Sequence, residues 1–132
     1  MAKSNAGIDF ISTQISGVAS ATAVAKFMAV TANSTAPATG NTTLAGEITT
    51  SGGGLVRATA TYAHTNGTNT YTLTNTFTTN GTDTLPVTIA KIGVFTATPT
   101  GGTLVYETLL SSTAVLSVAG DALTVTDTVT IT

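Results

Sequence analysis

The sequence predicts an all-β domain: an antiparallel β-sandwich, jelly-roll-like, with an extended N-terminal arm. Three observations lead there. The last twelve residues alternate strictly, with Leu123, Val125, Val129 and Ile131 on one parity and Thr124, Thr126, Thr128, Thr130 and Thr132 on the other. Successive strand side chains point to opposite faces, whereas a helix would scatter both sets around its circumference. Residues 70–79 repeat the pattern, with Tyr71, Leu73 and Phe77 against a row of threonines. Finally, Asn66-Gly67, Asn80-Gly81, Gly101-Gly102 and Gly120-Asp121 punctuate the apolar runs as turns, at the short spacing typical of sandwiches and barrels.

In chain order, residues 1–23 form the arm and residues 24–132 the sandwich. Within the arm Ile8, Ile11, Ile15 and Val18 fall at helical intervals, but Gly17 and the serine and β-branched content weaken a helix there. Val24–Val30 predicts a first core strand anchored by Phe27. The following stretch, residues 31–54, is dense in Asn, Ser, Thr, Pro and Gly and reads as one long loop. Leu44, Glu47 and Ile48 make a turn within it that plugs into the sheet edge. Leu55–His64 predicts a strand with Val56, Ala58, Ala60 and an inward Tyr62 on one side and Arg57, Thr59 and Thr61 on the other.

Leu85–Phe95 begins with Val87 and Ile89 in phase and then shifts to Ile92 and Val94, which predicts a β-bulge beside Gly93. Two further strands follow, Leu104–Leu110 and Ala114–Val118, before the closing strand.

Composition bounds the function. Only 8% of residues are charged, against a usual ~25%, and the net charge is −2. One residue in four is threonine. Nucleic acid is not an expected partner, because phosphate binding needs clustered Lys and Arg. No membrane partner is expected either, since no apolar run approaches the ~20 residues of a span and the start lacks a signal-peptide core. The absence of cysteine fits a reducing cytoplasm. A chain with so little self-repulsion associates unless its faces are covered, so the composition favours a subunit of an assembly.

Candidate sites are few. Asp127 and Asn75 each interrupt an apolar strand face, and a buried carboxylate needs a partner; Arg57 and Lys91 are the candidates. His64 is the only histidine and sits at a strand end, where a capping role is expected. The acids show no calcium-loop spacing, and Gly52-Gly53-Gly54 lacks the Lys-Ser/Thr of a phosphate cradle and reads as a hinge. No catalytic constellation, cofactor site or metal site emerges, so no enzyme is expected. Contact residues expected in an assembly are Ile8, Phe10, Ile11 and Ile15 in the arm and Leu44 and Ile48 in the loop. A glycan-binding or adhesive module is the alternative class, and it requires exposed aromatics. The threonine rows also resemble an ice-binding lattice, but only two strands carry them.

Several segments resemble structural proteins of tailed bacteriophages. They are Lys26–Val30, Ser34–Ile48 and Ile89-Ala-Lys-Ile-Gly-Val-Phe95, the last similar to the Ile-X-Glu-Ile-Gly-Leu-Phe segment of tail-collar and virion β domains. Gly102–Thr108 and Gly120–Thr126 resemble the closing hairpin of those domains. Lys91 stands where that pattern often has glutamate. The resemblance implies a virion component made in the host cytoplasm, either a capsid decoration (cement) protein or a tail or collar component. It implies the major capsid protein or tail proteins as partners, a homo-oligomer of which a trimer is a common form, and an arm that grips neighbours.

Overall fold

The structure, a computed structural model, describes residues 2–8 and 24–132. Among the described residues there are eight strands: β1 (Ala2–Lys3), β2 (Phe27–Thr31), β3 (Ala58–Thr59), β4 (Thr61–His64), β5 (Thr70–Thr78), β6 (Val87–Phe95), β7 (Leu104–Leu116) and β8 (Ala122–Thr130). They form two sheets, a five-stranded one in the order β1-β7-β6-β2-β3 and a three-stranded one in the order β4-β5-β8. All pairings are antiparallel. The two sheets face each other across one core, the expected β-sandwich.

The core follows from the alternation. β8 buries Val125, Asp127 and Val129 and exposes Thr124, Thr126, Thr128 and Thr130. β5 pairs with it residue for residue, so Leu73 and Phe77 join the same buried face. The five-stranded sheet answers with Met28, Val30, Ile89, Ile92, Val94 and Tyr106. Each such side chain contributes roughly 1.5–3 kcal/mol on burial. Ile131, predicted on the apolar face, lies just past the end of β8 and is exposed.

β6 differs because both of its faces are covered. Residues 89–95 are all buried, which explains why its sequence reads as a near-continuous apolar run. The other face carries a second cluster of Ala29, Leu44, Phe95 and Leu104, with Phe27 packed at its side. Phe27, expected as the anchor of its strand, is therefore half-buried in this smaller cluster, and Met28 and Val30 are the anchors of the main core. The predicted phase change in β6 is a register shift between Ile89 and Lys91. Between the pairs Ile89–Ala114 and Lys91–Leu109, the single residue Ala90 faces residues 110–113 of β7. The two strands expected at 104–110 and 114–118 are thus one bulged strand.

Leu55–His64 is the clearest correction. The chain leaves the five-stranded sheet after Thr59 and enters the three-stranded one at Thr61. The alternation itself continues, since Ala58 and Ala60 pack against the main core and Tyr62 pairs with the buried Leu73, but β4 is an edge strand and leaves Tyr62, expected inward, 58% exposed. Arg57, on the other parity, is buried against Glu47 and Phe95.

Candidate interaction surface

Among the described residues, five of the nine charged side chains, Arg57, Lys91, Glu47, Glu107 and Asp127, are buried or nearly so. Arg57 forms a two-pronged ion pair with Glu47, Nε to Oε1 at 2.9 Å and Nη2 to Oε2 at 2.8 Å. Its Nη1 donates to the carbonyls of Ala97 (2.9 Å) and Gly101 (2.6 Å), and its guanidinium lies 3.5 Å over the Phe95 ring. Lys91 pairs with Glu107 at 2.9 Å, with both side chains 1% exposed, and donates to Thr35 O at 3.1 Å. Glu107 also accepts from Ala38 N at 3.2 Å and from Asn41 Nδ2. Burial alone would raise the pKa of Glu107; the bonds from Lys91, Asn41 and Ala38 outweigh it and hold the carboxyl below its usual range.

Both pairs serve one purpose: they pin the 31–48 loop across the outer face of the five-stranded sheet. Thr31 Oγ1 donates to Ala45 O and Gly46 O, Thr31 bridges to Glu47, and Ile48 N donates to Val30 O at 3.1 Å. Leu44 fills the space over Gly93, where a side-chain carbon would come within 3.2 Å of the Leu44 methyls. The predicted turn at 44–48 is therefore real, and the loop is a third layer. Leu44 is nevertheless corrected as a contact residue: at 4% exposure its methyls belong to the chain's own core. Ile48 is half-buried and packs against the main core. The loop residues that do reach solvent include Ser34, Thr35, Ala36, Thr42 and Thr43, and residues 31–46 contain no charge at all.

The first residues of the arm are tied down as well. Ala2 and Lys3 pair with Glu107 and Tyr106. Ser4 is buried, and its Oγ donates to Leu104 O at 2.5 Å and accepts from Gly7 N at 2.9 Å. Asn5 N reaches Thr39 O at 2.8 Å, joining arm and loop. Gly7 packs so closely that a Cβ would lie 2.0 Å from Val105 O, so only glycine fits. One helical turn follows, and Ile8 at its end is 50% exposed. Phe10, Ile11 and Ile15 lie outside the described residues.

The opposite face of the molecule is a threonine array. Thr70, Thr72, Thr74 and Thr76 of β5 stand directly opposite Thr130, Thr128, Thr126 and Thr124 of β8. Thr74 and Thr126 hydroxyls bond at 3.2 Å, and Thr76 and Thr124 at 2.8 Å. Beyond the β4 edge, the exposed Tyr62 ring sits 5.5 Å from Tyr71. His64 Nδ1 meets Thr70 O at 2.8 Å, the strand-end role expected of it.

Two more acids are consumed by loops. Asp83 accepts from Gly54 N (2.9 Å) and Asn80 N (2.8 Å), and Asp121 from Ser117 N (2.7 Å) and Val118 N (3.0 Å). Gly52–Gly54 is thus no hinge: Gly54 is anchored by Asp83, and a Cβ on it would strike Thr78 O at 1.7 Å. Among the described residues, no three His, Cys, Asp or Glu side chains gather as a metal site.

Asp127 is the exception to this pairing. Arg57 and Lys91, expected beside it, are engaged elsewhere, on the far side of the five-stranded sheet. Its carboxylate is 7% exposed and Oδ2 has no hydrogen-bond donor. Asp127 pairs with Leu73 across the strands, which places Tyr71 and Asn75 diagonally on the same face. Asn75 Nδ2 is likewise without an acceptor. Burial pushes the Asp127 carboxyl up, and the neighbouring Tyr106 hydroxyl opposes this in part. Tyr106 is pushed far up by its own burial and by the Asp127 charge.

Sequence reasoning found Asp127 and Asn75 from broken alternation. It missed Glu47 and Glu107 as the partners of the two buried cations, because the first depends on where a long loop folds back and the second on the register of β7 against β6. Compared with known proteins, the chain matches no family model and no curated sequence.

Proposed function

We propose that this chain is a structural protein of a tailed-bacteriophage virion, a capsid decoration protein that stabilises the shell by protein–protein contacts with the major capsid protein. The observation that carries the reading is the removal of charge from the surface. Of the nine charged residues described, Arg57, Lys91, Glu47, Glu107 and Asp127 are buried or nearly so, and Asp83 and Asp121 are taken up by turns. That leaves Lys3 and Lys26, a poor defence against association for a free monomer and an advantage for a subunit that must pack closely.

The phage-like segments at residues 26–48, 89–95, 102–108 and 120–126 support the same assignment. The uncharged 31–46 layer, with Ile8 and the arm beyond it, supplies the contact surface, and the threonine face is available to a neighbouring copy. A homo-oligomer, in trimeric form, is part of this proposal, as is placement in the virion after synthesis in the host cytoplasm. Catalysis is not. A tail or collar component meeting tail proteins is the same proposal with a different address.

The test is retention on purified particles. Deleting residues 2–20 is expected to abolish occupancy while the isolated sandwich stays folded by circular dichroism; undiminished occupancy would refute the arm's role. A second reading rests on Tyr62, whose exposed ring beside Tyr71 is the kind of platform a glycan-binding module needs. Specific glycan-array binding that disappears in Tyr62→Ala would favour that reading over assembly.

A further inference from the structure

Among the described residues the sandwich is open along one side, between β7 and β8: β8 has β5 as its only neighbour, and β7 has no partner on that side beyond Glu107. The bulge at residues 110–113 holds the two edges apart and leaves a cleft of about 410 Å3. Ile92, Leu110, Leu123 and Val125 line it with apolar surface, Thr108 adds a hydroxyl, and Asp127 supplies a carboxylate. Three facts then define the occupant. Asp127 is more than nine-tenths buried, its Oδ2 lacks a donor, and the Thr108 hydroxyl lining the same cleft lacks a partner. Among the described residues no side-chain cation answers it: Arg57 and Lys91 are committed to Glu47 and Glu107, no salt bridge joins Asp127 to Lys3 or Lys26, and the chain's amino-terminal ammonium acts on it through charge without a hydrogen bond. Residues 9–23 contain no lysine or arginine, so that stretch cannot supply the charge.

We propose that this cleft is a binding site for a lysine side chain presented on an extended segment of a partner protein. The alkyl stem would lie along the apolar lining, the ammonium would meet Asp127 and Thr108, and the segment's main chain would pair with the free edge of β8. An unpaired buried carboxylate is a strong selector, because only a cationic donor returns what its desolvation removed. The site does not depend on the capsid reading, since peptide binding and particle retention are separate measurements.

The experiment is an NMR titration of the full chain with the peptide acetyl-Thr-Val-Lys-Val-Thr-amide. The same peptide with norleucine in place of lysine, and n-hexylammonium chloride alone, are the comparisons. The lysine peptide is expected to give saturable shifts at residues 108–112 and 123–127, with affinity at least about tenfold above the norleucine peptide. Asp127→Asn is expected to erase that preference. Equal affinity for both peptides, or shifts confined to other regions, would overturn the proposal. So would tighter binding of the free amine than of the lysine peptide, which would leave a small-cation pocket with no strand docking. Because the norleucine comparison uses the wild-type chain, the result does not hinge on how the variant folds.

Discussion

At the scale of single residues, two buried acids pull the stability of this protein in opposite directions as pH changes. The Asp127 carboxyl has its folded pKa raised by burial above the ~3.9 of an unfolded chain. The folded state therefore holds this proton more tightly than the unfolded one. The stability it contributes is fully present below the unfolded value and is lost as pH rises through the raised one. Asp127→Asn is accordingly expected to be more stable than wild type at pH 7, by on the order of 1–3 kcal/mol, and to lose that advantage near pH 3. Urea denaturation at the two pH values checks this; an advantage independent of pH would show that charge is not the cause. Glu107 has its folded pKa lowered, so its stability is present above ~4.3 and disappears as pH falls through the lower value. Removing only its partner, as in Lys91→Met, strands a buried charge and is expected to cost about 3–5 kcal/mol. The double variant Lys91→Met with Glu107→Leu is expected to recover most of that loss in the same denaturation assay, because no charge is then left behind.

At the scale of elements, the 31–48 loop behaves as a layer because of one leucine and two ion pairs. Leu44→Ala is expected to cost about 2–5 kcal/mol, the range for emptying a buried site. Hydrogen exchange should locate the damage: the Ile48 and Ala38 amides exchange faster, while those of the β5–β8 ladder keep their protection. Legibility also divides at this scale. β5 and β8 were readable because each has one wet face, and a period of two survives only when one face is dry and the other is not. The shift inside β6 was visible from the apolar residues alone, which change parity between Val87 and Ile89 and then Ile92 and Val94. What escaped were the places where a third object intervenes. The alternation through Leu55–His64 does not show that the chain changes sheets after Thr59 and leaves Tyr62 on an edge, Glu47 reaches Arg57 from a loop whose path no local pattern encodes, and Glu107 reaches Lys91 only through the register of β7 on β6. Asp127 was legible as a break in a pattern, but its lack of a partner is a property of three elements together.

At the scale of the whole molecule, an uncharged exterior sets how the protein meets others. Self-association, or binding to its particle, is expected to keep its affinity within about threefold between 50 and 500 mM salt, since few exposed charges are there to be screened. Sedimentation across that range checks it, and a steep fall with salt would mean that Lys3 and Lys26 dominate the contact. Association rates should likewise sit near the unsteered 10⁵–10⁶ M⁻¹s⁻¹. The Ser4 clasp has a different kind of consequence, one of timing. The hydrogen-bond acceptor of Ser4, Leu104 O, lies 100 positions later in the chain. At a synthesis rate of ~5–20 residues per second, Ser4 waits roughly 5–20 s for the strand that will hold it. This segment is made well before the strand that fastens it.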